Sequence, residues 1–222
     1  MNMILDTMDL FEMRRYLRPT VIELYSYVVN VVNRLLKDLK KGQKLTVTKK
    51  KRVNGIDWYL ALFILKDKKL EKPAACSFYC ILRNIKGQDY VLCYNISYNS
   101  IIKLSMHFFK RYRERYLKDE NLSLKDTIKI FFERNPTGRC KTIPTGYISE
   151  CPDGICISND KRRKVHNNFG YNQITSFNTF LTREMLNKGQ GENFLSLTEE
   201  ELQELDPFNM LKILATETRE PY

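Results

Sequence analysis

A histidine and two arginines recur at four-residue intervals in the middle of this chain: His107, Arg111 and Arg115. On a helix turning about 100° per residue, that spacing sets them in one row along the axis. An imidazole exchanges a proton near neutral pH. Two guanidinium groups can hold a phosphate and offset the charge that develops on it in a transition state. The trio suits phosphodiester chemistry in which His107 carries the proton and Arg111 and Arg115 contact phosphate. RNA cleavage by the substrate's own 2′-hydroxyl needs neither a metal nor a cofactor, and the expectation here is none of either. A two-metal nuclease would need converging carboxylates, and no such set stands out. The bland alternative is a solvated helix edge, with Glu114 and Lys118 in local ion pairs.

The elements that must position the row follow from periodicity. Residues 106–117 are predicted to form a helix with Ser105 as its cap. Phe108, Phe109, Tyr112 and Tyr116 then share the core face, and the His107 row lies half-buried along its border. A second helix is expected over residues 124–134 behind Ser123, ending before Pro136 and Gly138. Upstream, apolar positions at Val21, Leu24, Tyr25, Val28, Val32, Leu35 and Leu39 predict a helix over residues 20–40. Thr20 and Glu23 read as its capping box and Gly42 as its stop. The turns before Pro19 read as a separate short helix. Residues 45–53 and 56–65 form a hairpin about the type I′ pair Asn54-Gly55. Residues 77–83 and 90–97 form a second about Lys86-Gly87, and residues 101–104 are one more short strand.

Strands resume at residues 145–150 and 155–158, flanking the turn Pro152-Asp153-Gly154. Another is expected at residues 173–181, then a short helix from Arg183 and a last helical segment from Thr198. The fold class is therefore α+β. An N-terminal helix with antiparallel hairpins precedes two helices, a small antiparallel sheet and a closing helix. Residues 1–104 and 105–222 form two candidate parts with no Pro/Gly/Ser linker between them, and one continuous sheet across both is the alternative.

The run His107-Phe-Phe-Lys-Arg111-Tyr112-Arg-Glu-Arg115 resembles the H-x-x-x-R-Y-x-x-R pattern of some prophage and mobile-element nucleases. These are grouped with barnase, EndoU, the tRNase colicins and RelE-type toxins. Asp153-Gly154-Ile155 and Thr179-Phe180-Leu181, with Met185-Leu186 and Gln190, extend the similarity over about residues 101–190. The resemblance implies helices followed by a four-stranded sheet and metal-independent RNA cleavage. It also implies His107 as general base or acid, Arg111 and Arg115 on phosphate, and Thr179 lining the site from the last strand. This sequence departs from the pattern in having Cys151-Pro152 before the turn and no clear second acid or base. His166 is a candidate by residue type alone.

The charge agrees with a polyanionic partner. Over 222 residues the formal net charge is +11 and the isoelectric point about 9.3. Residues 41–189 carry 29 Lys and Arg against 13 Asp and Glu, whereas residues 190–222 carry 2 against 8. Such a field favours nucleic acid, RNA here more than DNA. Lys49, Lys50, Lys51 and Arg52 on the first hairpin and Lys161, Arg162, Arg163 and Lys164 in a loop are candidate phosphate contacts. The lysines serve equally as guards of an edge strand. The acidic tail could cover the basic face itself, or meet a protein partner as in toxin-like domains. Deleting residues 191–222 would then tighten RNA binding.

Six cysteines without an export signal read as free thiols in a cytoplasmic protein. Cys76-x3-Cys80 and Cys151-x4-Cys156 are spaced too loosely for a zinc site. The greasiest run, residues 58–65, is far short of the roughly 20 residues that cross a membrane. Single scattered glycines leave no phosphate-cradling loop, and there is no G-x-S-x-G elbow. Three functions fit: a metal-independent endoribonuclease, a non-catalytic nucleic-acid-binding or mobile-element accessory protein, and a partner-binding toxin-like domain.

Overall fold

A computed structural model describes residues 8, 10–67, 70, 74–95, 100–135, 139–143, 146–158 and 175–186. The fold is α+β. The first helix, α1 (Leu10–Asp38), is longer than its periodic core, because it runs unbroken through Pro19. An interior proline costs about 3 kcal/mol. The buried face of α1 outweighs that: Met13 and Leu17 before Pro19, and Leu24, Val28, Val31 and Val32 after it, are all buried. Each such side chain stabilises by about 1.5–3 kcal/mol relative to exposure. Pro19 itself is exposed, so the carbonyl it leaves without a donor can be hydrated. Thr20 is therefore no N-cap. It is buried, and its hydroxyl accepts a 3.1 Å hydrogen bond from the Asn54 side-chain amide, tying the helix to the first hairpin turn.

That hairpin pairs β1 (Lys44–Val53) with β2 (Ile56–Leu65) in the register Val53↔Ile56. Asn54 and Gly55 both have positive φ, at 51° and 80°, as a type I′ turn demands. The sheet continues through β3 (Ala74–Arg83), β4 (Asp89–Asn95) and β5 (Ser100–Ser105), all antiparallel neighbours. It is covered on both sides. Trp58, Leu60, Leu62 and Ile64 of β2 pack toward α1, while Ala61 and Phe63 enter a second core on the other face. Double burial explains why β2 reads as an almost unbroken apolar run.

The second core is built by α2 (Met106–Tyr112), the π-wound turn Arg113–Leu117 that continues it, and α3 (Leu124–Arg134). Ser105 and Ser123 cap the two helices, accepting from the amides of Phe108 and Asp126. Behind them lies a four-stranded antiparallel sheet in the order β10-β8-β7-β6. Its members are β6 (Arg139–Ile143), β7 (Gly146–Cys151), β8 (Gly154–Ser158) and β10 (Thr179–Leu181).

The strand expected over residues 173–181 is two strands. β9 (Thr175–Phe177) joins the large sheet parallel to β5, Asn178 breaks the run, and β10 joins the small sheet. Asn178 donates its amide to the Ile157 carbonyl at 2.9 Å, and its own carbonyl accepts from the Ser105 hydroxyl at 3.4 Å. One residue thus links both sheets and the start of α2. The second core draws Ala61, Phe63 and Tyr79 from the first 104 residues and Phe108, Phe131 and Phe180 from the rest. Among the described residues no helix is long and apolar enough to cross a membrane. The basic loop Lys161, Arg162, Arg163 and Lys164, His166 and the segment from Thr198 lie outside the described residues.

Candidate functional site

Ser105 starts α2 one residue before Met106, which puts His107 in its first turn. Phe108, Phe109 and Tyr112 are fully buried, packed edge-on against Phe131, with Phe108 and Tyr112 also edge-on to Phe180. The core face is the expected one. The border row differs from expectation in two respects. His107 is exposed rather than half-buried, and the α-helix ends at Tyr112. Residues 113–117 wind as a π-helix, closed by the Lys118 amide on the Arg113 carbonyl at 2.8 Å, with Lys118 left-handed at φ 53°. The wider turn carries Arg115 off the ideal i, i+8 line.

The first two members of the row do meet. Arg111 Nε donates to His107 Nε2 at 3.3 Å. Arg111 also pairs with Glu114 at 2.9 Å, the local ion pair of the bland reading. Arg115 Nη1 donates to the Phe180 carbonyl at 2.6 Å. Burial, and then the like charge of Arg111, hold its pKa below the ordinary arginine value, with Glu114 opposing. Among the described residues its hydrogen bond goes to a carbonyl and not to a carboxylate, so the Arg115 guanidinium stays on this rim as a cation. Thr179 stands beside Phe180 on β10, opposite Ile157. Phe180 turns its ring under α2, so alternation sets Thr179 on the opposite side of that strand. His107, Arg111 and Arg115 share a rim, and Thr179 does not point to it.

The lysine cluster is split by the same alternation. Lys50 pairs with Asp57 at 2.6 Å and Lys51 with Glu23 at 3.6 Å, on opposite faces of β1. Lys51 also sits over the Tyr27 ring of α1, 5.6 Å from its centroid. Lys49 lies on the Lys51 side, half-buried, and Arg52 is exposed on the Lys50 side. β1 is the edge of its sheet, where guarding lysines are expected.

The strongest polar constellation is one that sequence reasoning missed. Asp153, in the β7–β8 turn, is buried and accepts from the Tyr112 hydroxyl at 2.6 Å and from Arg134 Nε and Nη2, each at 2.8 Å. It also accepts from the Asn135 amide at 2.9 Å and returns its own backbone N–H to Asn135 Oδ1 at 3.0 Å. Burial by itself would raise the Asp153 carboxyl. The hydrogen bonds from Arg134, Tyr112, Tyr116 and Asn135 outweigh it and hold the group below the usual carboxylate range. Tyr112 is pushed the other way, mainly by burial and then by the Asp153 charge, so its phenol stays protonated. Tyr116 stacks on Tyr112 at 5.4 Å and takes a 2.6 Å bond from Arg134.

This network locks α2, α3 and the turn together, and so fixes the helix that carries His107. Gly154 completes the lock. A Cβ there would lie 2.4 Å from the Leu181 carbonyl and 2.6 Å from Phe180 Cζ. Arg183 reaches back to the carbonyls of Pro152 and Cys151 at 3.0 and 2.9 Å. The Pro-Asp-Gly turn was visible in the sequence. Its partners lie 18 to 41 residues away and follow no periodic spacing.

Among the described residues no three His, Cys, Asp or Glu side chains are grouped to hold a metal ion. Compared with known proteins, the chain matches no family model, and no curated protein or solved structure is significantly similar to it.

Proposed function

We propose that this is a nucleic-acid-directed protein whose α2 rim binds RNA phosphate and cleaves the chain through the adjacent 2′-hydroxyl without a metal. The observation that carries the reading is the contact of His107 with Arg111 at 3.3 Å, on a rim that also holds the Arg115 guanidinium. In the proposed reaction the Nε2 lone pair, released when Arg111 turns to the phosphate, takes the 2′-hydroxyl proton. The 2′-oxygen attacks phosphorus, the P–O5′ bond breaks, the 5′-oxygen takes a proton from solvent water, and a 2′,3′-cyclic phosphate remains. Arg111 and Arg115 offset the charge on the non-bridging oxygens. The order of elements supports the reading. Two helices followed by a four-stranded antiparallel sheet is the architecture that the nuclease resemblance implies, although a fold alone never assigns an activity.

The test is cleavage of total RNA in EDTA. His107→Ala should lower the rate by about 100-fold or more, the usual yield of a positioned acid–base group, with RNA affinity retained. A second reading, RNA binding without turnover, is favoured by the exposure of His107 and by the Glu114 partner of Arg111. Salt-dependent binding with no product under any condition would select it. Cleavage that survives His107→Ala would remove the proposed chemistry.

A further inference from the structure

Cys151 ends β7 and Cys156 lies in β8, and their sulfur atoms are 3.9 Å apart. Register explains the approach. Cys156 pairs with Ser149, and Cys151 lies two residues along the same strand, so both side chains project from one face. Cys76, Cys80 and Cys93 have no such cysteine neighbour. Cys80 lies in the core under α1 and Cys93 in the core on the opposite face of the sheet. Cys76 is four residues from Cys80 on one strand, about 13 Å away. Burial also pushes the Cys76 and Cys93 thiols up to about 12, and Cys80 well above its ordinary value. Cys76, Cys80, Cys93, Cys151 and Cys156 are not in disulfides.

We propose that Cys151 and Cys156 are a reversible thiol–disulfide site for a peroxide-class oxidant, and that its closure loosens the Asp153 lock. One thiolate attacks a peroxide oxygen. The O–O bond breaks, water leaves, and a sulfenic acid forms. The second thiol displaces the sulfenic hydroxyl as water, giving the disulfide, and a dithiol reductant returns both thiols. The sulfurs must close from 3.9 Å to about 2.05 Å. Cys151 then gives up its 3.3 Å contact with the Gly154 carbonyl. The start of β8 cannot move toward β10, because Gly154 already lies against Leu181 and Phe180. The turn therefore moves, and Asp153 is in it. The pairing stands on geometry alone and is independent of the RNA reading.

The experiment uses the full chain and hydrogen peroxide under conditions where circular dichroism stays native. Trypsin releases residues 142–161 as one peptide whose only cysteines are Cys151 and Cys156. After oxidation that peptide should lose both alkylation sites together and regain them with dithiothreitol. The Asp153 amide, now bonded to Asn135, should exchange its hydrogen at least tenfold faster in the oxidised protein. In Cys151→Ala/Cys156→Ala peroxide should leave that exchange rate unchanged. Oxidation that stops at one sulfur, that links the pair to Cys140 or to a second molecule, or that needs the unfolded chain would overturn the site. A disulfide that leaves Asp153 exchange unaltered would overturn the switch.

Discussion

Asp153 is the residue on which most of the site geometry depends. Removing it strips Tyr112 and Asn135 of an acceptor and leaves the half-exposed Arg134 without its carboxylate. Asp153→Ala should destabilise the protein by about 3 kcal/mol, the lower end for breaking a buried pair because Arg134 can be hydrated. The sign of the pH dependence follows from a carboxyl held below its ordinary value. Its contribution is complete above the unfolded pKa of about 4 and is lost as pH falls through the folded value. Urea melts at pH 7 and pH 3 should show the gap between wild type and variant narrowing at the lower pH. An equal gap at both would mean that shape, not charge, holds the turn. His107, Arg111 and Arg115 were legible as a set because four-residue spacing is a local property of a helix. Asp153 was legible only as a turn residue, since its partners come from other elements.

At the scale of elements, capping serines and turn residues marked most boundaries. Ser105, Ser123 and Asn54-Gly55 each act through bonds or dihedrals within three residues, so their effects are written locally. Pro19 misled for the opposite reason. Its local cost predicts a helix start, but burial on both sides of it wins. Pro19→Ala should therefore stabilise the protein by about 1–3 kcal/mol, through a recovered hydrogen bond to the Arg15 carbonyl. A raised urea midpoint checks this, and an unchanged or lowered one would mean that the proline ring serves the packing of α1. The π-wound turn and the break at Asn178 were equally hidden. The break at Asn178 is set by pairing with distant strands, β5 on one side and β8 on the other, which no single segment encodes.

At the scale of the whole molecule, a net charge of +11 bears on partners more than on fold. If RNA phosphates lie on the α2 rim, the logarithm of the binding constant should fall linearly with the logarithm of salt concentration. Arg111→Ala and Arg115→Ala should each reduce that slope by about 0.7, the value per phosphate for single strands. Anisotropy titrations of a labelled single-stranded RNA over a salt series measure it. Slopes equal to wild type in both variants would move the RNA away from this rim. The lysines of β1 illustrate why a charge run is not a surface. Four consecutive basic residues are divided between two faces, and two of them already have carboxylate partners.

The amino-acid order by itself determined the α+β class, the helix that carries His107, the hairpin turns and the basic balance. Each depends on periodicity, on dihedral preference or on a simple sum. Only the tertiary structure decided that β2 is buried on both faces, that β9 and β10 split between two sheets, and that Asp153, Tyr112, Arg134 and Asn135 converge. Those outcomes depend on which distant segments exclude water from one another, and the energy of such contacts belongs to the pair and not to either stretch of chain.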